Sequence, residues 1–199
     1  MLFSSIPFLF YFLPVVLILY AISPKKLKNF TLLVCSLVFY AWGEPRLVVL
    51  MLATVLIGYI LGLLTERFPK YKKVFLALSL TLSVGFLVDY KDVDFFITNI
   101  NSITGLSIPL LKVALPIGIS FYTFQLLSYN VDVYRGNVPA QKNFIDLAAY
   151  IALFPQLIAG PIVRYTDVKE DLGVAKMDIM TAADGVRRCC MGLAKKVLI

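Results

Sequence analysis

The sequence predicts an all-α, polytopic transmembrane protein forming a single domain over residues 1–199. Three observations predict it. First, 60% of the residues are hydrophobic and 16% are charged, which is too little polar surface for a soluble domain of this size. Second, the apolar residues fall into long runs rather than alternating strand patterns, which argues against a membrane β-barrel. Third, the net charge of +7 is concentrated in short loops between those runs. That is the positive-inside pattern of membrane proteins and not a phosphate-binding face, so no nucleic-acid partner is expected.

Ile6–Ile22 is just long enough to span, with Pro7 harmless at its start and Pro14 expected to kink it. The N-terminus lacks a basic leader and a small-residue cleavage site, so this run reads as a retained helix. Pro24-Lys25-Lys26-Leu27-Lys28 closes it with positive charge. Phe30–Trp42 is short, Leu47–Leu64 is a full span, and Arg67–Lys73 is again basic. Both basic clusters belong on the cytoplasmic side, so an even number of crossings separates them. Leu47–Leu64 crosses once, and Phe30–Trp42 must therefore cross too, with its flanks snorkelling. The N-terminus, Gly43–Arg46 and the acidic Asp89–Asp94 then face outward. Val74–Val88 is the next span. Phe95–Leu106 reads as a surface segment, and Leu110–Val133 as a span interrupted early by Pro116 and Gly118. It ends inside at Tyr134-Arg135-Gly136-Asn137. Phe144–Val163 follows, then a polar loop over Tyr165–Asp178. Asp184–Ile199 reads as a basic amphipathic helix, with Val186, Cys189, Cys190, Leu193 and Val197 on one face. Such a helix lies in the interface or packs on a neighbour.

Phe154-Pro155-Gln156-Leu157-Ile158-Ala159-Gly160-Pro161-Ile162-Val163-Arg164 is the unusual stretch. A lipid-facing helix gains nothing from two prolines, a glutamine and a glycine. Pro155 removes a backbone donor, and Gly160-Pro161 turns the backbone away from helix. Gln156 is costly in hydrocarbon unless its amide finds partners. Broken backbone at membrane depth is tolerated only where protein or a wet cavity surrounds it, so the stretch is expected to wall an internal chamber.

Tyr122, Gln125, Tyr129 and Asp132 recur at spacings of three and four and make one polar stripe on an apolar helix. They either line a substrate channel or glue helices together. Arg164 either meets an anionic group or carbonyl, or snorkels as an anchor. Gly58 and Gly62 form a small-xxx-small pair that lets a helix approach closely. Cys35, Cys189 and Cys190 lack metal or redox spacing, and no metal site is expected. Ser120 lacks the second glycine of a nucleophile elbow. The chain contains no histidine, so a reaction that needs imidazole as base is not completed by these residues alone.

Leu115-Pro116-Ile117-Gly118-Ile119-Ser120-Phe121-Tyr122-Thr123-Phe124-Gln125 and Phe154–Arg164 closely resemble the membrane-bound O-acyltransferase family. So do Ser128–Gly136, Gly192–Ile199, Phe3-Ser4-Ser5 and Tyr40-Ala41-Trp42-Gly43. The branch resembled is that of the bacterial alginate O-acetylation proteins. The resemblance implies broken helices around a central funnel in a bacterial inner membrane. It implies O-acetyl transfer from a cytoplasmic acyl thioester, such as acetyl-CoA, to hydroxyls of an extracellular polysaccharide such as alginate. No bound cofactor is implied; membrane lipid and periplasmic acetyltransferases are the implied partners. The family's histidine lies in a later part of the protein, so the chain is expected to be the N-terminal portion of a longer enzyme. Pro155, Gln156, Gly160, Pro161 and the Tyr122–Asp132 stripe carry over as funnel-lining positions, and no catalytic residue carries over. The alternatives are an inert fragment and a transporter or channel component, although no inverted repeat is visible.

Overall fold

The computed structural model describes residues 5–24, 27–43, 45–91, 97–99, 101, 118–159, 163–173 and 179–198. The described secondary structure is entirely helical. A π-helical turn, Phe8–Phe12, runs into helix α1, Leu13–Ile22. Pro14 sits in the first turn of α1, where its missing N–H costs little. The irregularity expected at Pro14 lies one turn upstream, where the wider π turn relieves the clash a proline imposes on the preceding carbonyl. Helix α2 is Lys28–Gly43 and α3 is Pro45–Arg67. A 3₁₀ turn, Pro69–Tyr71, leads into α4, Lys72–Lys91. The expected surface segment Phe95–Leu106 lies largely outside the described residues, as do Pro116, Gly160 and Pro161.

Helix α5 is Ile119–Arg135. It starts after Gly118 at φ +78° and stops at Gly136 at φ +79°, whose N–H reaches back to the last carbonyls. Asn137 N–H bonds the Asp132 carbonyl at 3.0 Å, completing a Schellman-type stop. Asn143 caps α6, Phe144–Ala152, by accepting the Ile145 N–H at 3.1 Å.

The apolar run then breaks. Leu153 leaves helical geometry at ψ 113°, and α7, Phe154–Ala159, begins anew with Pro155 in its first turn. A continuous helix would drive the Pro155 ring into the Ile151 carbonyl. Breaking at Leu153 avoids that, and the Leu153 carbonyl instead accepts from Gln156 and Leu157, each at 3.0 Å. The freed Phe154 N–H points at Ser36 Oγ, 3.3 Å away on α2.

The polar loop expected over Tyr165–Asp178 is corrected for its first half, because Tyr165–Gly173 forms helix α8. Tyr165 and Val168, three residues apart, pack on the core, while Asp167 suits the dipole of the first turn. Polarity hid a short period that is present. Helix α9, Ile179–Leu198, is the expected amphipathic helix with an earlier start, and every described side chain on it is exposed.

Helix α3 is central: it touches α2, α4, α5 and α6. Gly58 and Gly62 serve packing within the chain. A Cβ at Gly58 would lie 2.5 Å from Leu126 of α5, and one at Gly62 would lie 3.1 Å from Asn130. One core joins Met51 and Val55 of α3, Leu126 and Tyr129 of α5, Leu147–Ala152 of α6, and Tyr165. A second cluster gathers Phe8, Phe12, Phe39 and Phe154, with Phe12–Phe39 ring centroids 5.2 Å apart and Phe39–Phe154 5.7 Å apart.

Two described segments are long and apolar enough to cross a membrane, Val48–Arg67 and Pro69–Val88, while Phe8–Ile22 and Lys28–Trp42 are apolar but shorter. Helix α4 is inverted relative to a soluble helix. Its buried positions include Ser79 and Ser83, and its exposed ones include Val74, Leu78, Leu80, Leu82 and Val84.

Candidate functional site

The stripe on α5 faces inward. Tyr122, Gln125 and Tyr129 are 0–1% exposed and Asp132 is 6% exposed. Close approach of α3 and α4 and the start of α6 bury this face, and the exposed face of α5 carries Phe121 and Phe124. Each buried polar atom therefore needs a partner or stands at a cost.

Near the basic end the partners are present. Tyr129 Oη accepts the Gln141 N–H at 2.8 Å. The Tyr165 ring meets Tyr129 and Tyr150 edge-on, at 5.1 and 5.3 Å. Asp132 Oδ1 accepts from Asn137 Nδ2 at 3.1 Å. Glu66 accepts the Ala140 N–H at 3.0 Å, and Tyr59 donates to the Lys142 carbonyl at 2.6 Å. Asp146 receives Asn29 Nδ2 at 2.8 Å. Together these bonds clamp the 136–143 connection across the ends of α2, α3, α5 and α6. The Lys72 ammonium sits 4.9 Å over the Tyr134 ring at the same end. The described members of the basic clusters, Lys28 at the head of α2 and Lys70–Lys73 after α3, thus lie at one end of the bundle.

Deeper in, the accounting does not close. Gln125 Oε1, Gln156 Oε1 and Thr123 Oγ1 are buried and find no hydrogen-bond partner among the described residues, and at the basic end the second oxygen of Asp132, Oδ2, is in the same position. Gln156 is 9% exposed, and α7 is brought to the head of α5 by Gly118, where a Cβ would lie 2.7 Å from the Leu157 carbonyl. Gly118 is therefore doubly required, by its positive φ and by this contact. The structure places Pro155 and Arg164 at the surface. Gly160 and Pro161 lie outside the described residues.

Several polar contacts have no local signature in the sequence. Asn130 donates to Ser79 Oγ at 2.8 Å in a buried bond between α5 and α4. Tyr150 donates to the Val163 carbonyl at 2.6 Å. The serine pair at 79 and 83, spaced by one helical turn in an apolar run, is a signal that would have marked the inward face of α4. An open apolar groove of about 520 Å³ lies between α1 and α2, lined by residues such as Tyr11, Val15, Val34, Cys35 and Trp42, and it contains none of the stripe residues. No group of metal-ligating side chains occurs among the described residues.

Fold and site together define an all-helical protein with apolar outward faces and a polar stripe turned inward. Over its whole length the chain is 38% identical to a probable alginate O-acetylase of Pseudomonas aeruginosa, of which it covers 40%. It is 37% identical to a probable alginate O-acetylase of Azotobacter vinelandii, covering 41% of that protein. It is 31% identical to a peptidoglycan O-acetyltransferase of Helicobacter pylori, covering 44%. These similarities place the chain in the membrane-bound O-acyltransferase family. The chain spans about two fifths of the length of these relatives. Neither a protein-family model nor a solved structure matches it.

Proposed function

We propose that this chain is part of a multi-pass bacterial inner-membrane O-acetyltransferase, with its N-terminus outside, that acetylates hydroxyls of an extracellular polysaccharide such as alginate. The observation that carries the reading is similarity, along the whole of this chain and two fifths of theirs, to proteins named as probable alginate O-acetylases. The inverted α4 supports the membrane setting, because a helix with serines buried and leucines exposed is at home only where the surroundings are apolar. The gathering of basic residues at one end supports placing that end in the cytoplasm.

In the reaction, a hydroxyl oxygen attacks the carbonyl carbon of a thioester such as acetyl-CoA. The C–S bond breaks, an ester forms, and the hydroxyl proton passes by way of a base to the departing thiolate. The residues of this chain contain no imidazole, so they are assigned binding and shielding from water rather than proton transfer. Gln125, Gln156 and, through Oδ2, Asp132 are funnel-lining candidates with open acceptors, able to receive an N–H or O–H from donor or sugar. Tyr122 and Tyr129, with Gly160 and Pro161 from the resemblance, complete the candidate lining, and the exposed Pro155 and Arg164 join it only where the rest of the complete protein covers them. Periplasmic acetyltransferases and membrane lipid are the proposed partners.

The test is complementation. The complete gene encoding this chain is expressed in an alginate-producing bacterium stripped of its own O-acetylase, beside a version ending at Ile199. Acetyl ester on the exported polymer is expected with the first and absent with the second. Polymer left unacetylated by a stably produced complete protein overturns the assignment of alginate as acceptor.

A further inference from the structure

Residues 144–165 form an apolar stretch long enough, as sequence, to cross a bilayer. The contacts at its two ends are incompatible with a crossing. It starts at the basic end: Asp146 bonds Asn29 at the head of α2 at 2.8 Å, and the Phe144 ring lies 5.6 Å from that of Tyr59. Helix α6 then rises for nine residues, about 14 Å, or roughly half the thickness of a hydrocarbon core. There it breaks, with Phe154 N–H at Ser36 Oγ, eight residues up α2. After α7 the chain comes back. Val163 offers its carbonyl to the hydroxyl of Tyr150, in the last turn of α6, at 2.6 Å. Tyr165 lies against both Tyr150 and Tyr129, and Tyr129 Oη holds Gln141 of the 136–143 connection at 2.8 Å. A crossing would carry Tyr165 about 30 Å from that connection.

We infer that Phe144–Tyr165 is a re-entrant hairpin that enters and leaves the membrane on the basic face, so that α8 and α9 lie on that same face. This rests on the membrane reading above. The segment between the hairpin and α9 cannot reverse the result. Helix α8 is nine residues rich in Asp, Glu and Lys, and residues 174–178 add a further Lys and Asp, so the segment holds no apolar run to carry it through lipid. Helix α9 suits this side. It carries Arg187, Arg188, Lys195 and Lys196 against Asp184, which is the charge the cytoplasmic face retains. The hairpin also explains why α6 is buried on every side from Leu147 to Ala152 and why its break is tolerated: protein, not lipid, surrounds it.

The natural cysteines supply the test, because Cys189 and Cys190 are exposed and Cys35 is buried. The complete protein is treated with a membrane-impermeant maleimide in intact spheroplasts and in inverted vesicles. Labelling at Cys189/Cys190, located by peptide mapping, is expected in inverted vesicles only. It should match a Gln141→Cys variant and oppose a Trp42→Cys variant. Trypsin on the unsubstituted protein gives an independent readout, with cleavage after Arg187 or Arg188 expected in inverted vesicles together with cleavage at Lys70–Lys73. Cysteines 189 and 190 labelling with Trp42→Cys, or Arg187 cut only from outside, overturns the hairpin and leaves the membrane assignment standing. A protein that partitions to the soluble fraction overturns the membrane assignment itself, and the hairpin with it.

Discussion

Helices α4 and α6 look alike as sequence and differ in their surroundings. Both are apolar runs without an internal proline. Helix α6 is buried from Leu147 to its last residue, Ala152, each residue at 0–1% exposure. Helix α4 buries Ser79 and Ser83 and exposes Val74, Leu78 and Leu82. Burial of α6 on all sides makes it intolerant of added volume. The single inward face of α4 makes its outward leucines nearly interchangeable. Hydropathy cannot separate the two, because it records how apolar a residue is and not whether its neighbour is protein or lipid.

The sharpest way to break this contrast is at the point that locks the α6–α7 unit to α5. Gly118→Val places a β-branched residue at φ +78° with its Cβ 2.7 Å from the Leu157 carbonyl. Left-handed backbone alone costs on the order of 1–3 kcal/mol, and a backbone clash adds to it. Thermal melting in detergent is expected to show the largest loss of folded protein of any change considered. A melting curve equal to the parent's would mean that α7 does not pack on Gly118.

Next in size is the direct comparison. Ala149→Leu adds volume where nothing is open and is expected to destabilise by about 1–3 kcal/mol. Leu80→Ala, on the outward face of α4, is expected to stay within about 0.5 kcal/mol in the same detergent. If the two shifts are equal, α6 is not surrounded by protein, and the hairpin reading loses its main support.

The inward face of α4 gives a smaller effect. Asn130→Ala removes the donor to Ser79 Oγ, a buried bond of 2.8 Å, and is expected to cost about 0.5–1.5 kcal/mol, the net worth of one hydrogen bond. Ser79→Ala should cost a similar amount, and the double variant should cost clearly less than the sum, since both remove one bond. Strict additivity would show that the pair does not interact.

Much of this architecture was legible beforehand. The helices now seen at α2, α3 and α4 follow from apolar runs and basic flanks, and the inward stripe of α5 follows from spacing alone, because a helix puts positions 122, 125, 129 and 132 on one side whatever surrounds it. The prolines at 14 and 155 predict breaks in the backbone but not their places. The structure puts one break at Leu153 and a π turn before Pro14, since the strain of a proline falls on the turn before it. Helix α8 was hidden because its period rests on Tyr165 and Val168 within a polar segment. The Asn130–Ser79 bond spans 51 residues, and the Gly118–Leu157 contact joins segments equally remote. Neither leaves a local trace, and the return of the chain at Val163 likewise has no signature in hydropathy.

The two glutamines carry the last and smallest stability effect, and they separate a binding surface from a structural one. Gln125 Oε1 and Gln156 Oε1 are buried without partners among the described residues. Removing an unpartnered buried acceptor relieves a desolvation cost instead of breaking a bond. Gln125→Met and Gln156→Met in the complete protein are therefore expected to leave the melting temperature unchanged or slightly raised, in contrast to Asn130→Ala. If these oxygens receive a hydroxyl or amide of a substrate, the same variants lose transfer of acetyl ester to polymer by roughly tenfold or more, the equivalent of one good hydrogen bond. Loss of stability together with activity would make them packing residues like Asn130. Full activity at full stability would remove them from the substrate path. Only the split, with folding kept and transfer lost, marks a surface that natural sequence has left unsatisfied for a ligand to complete.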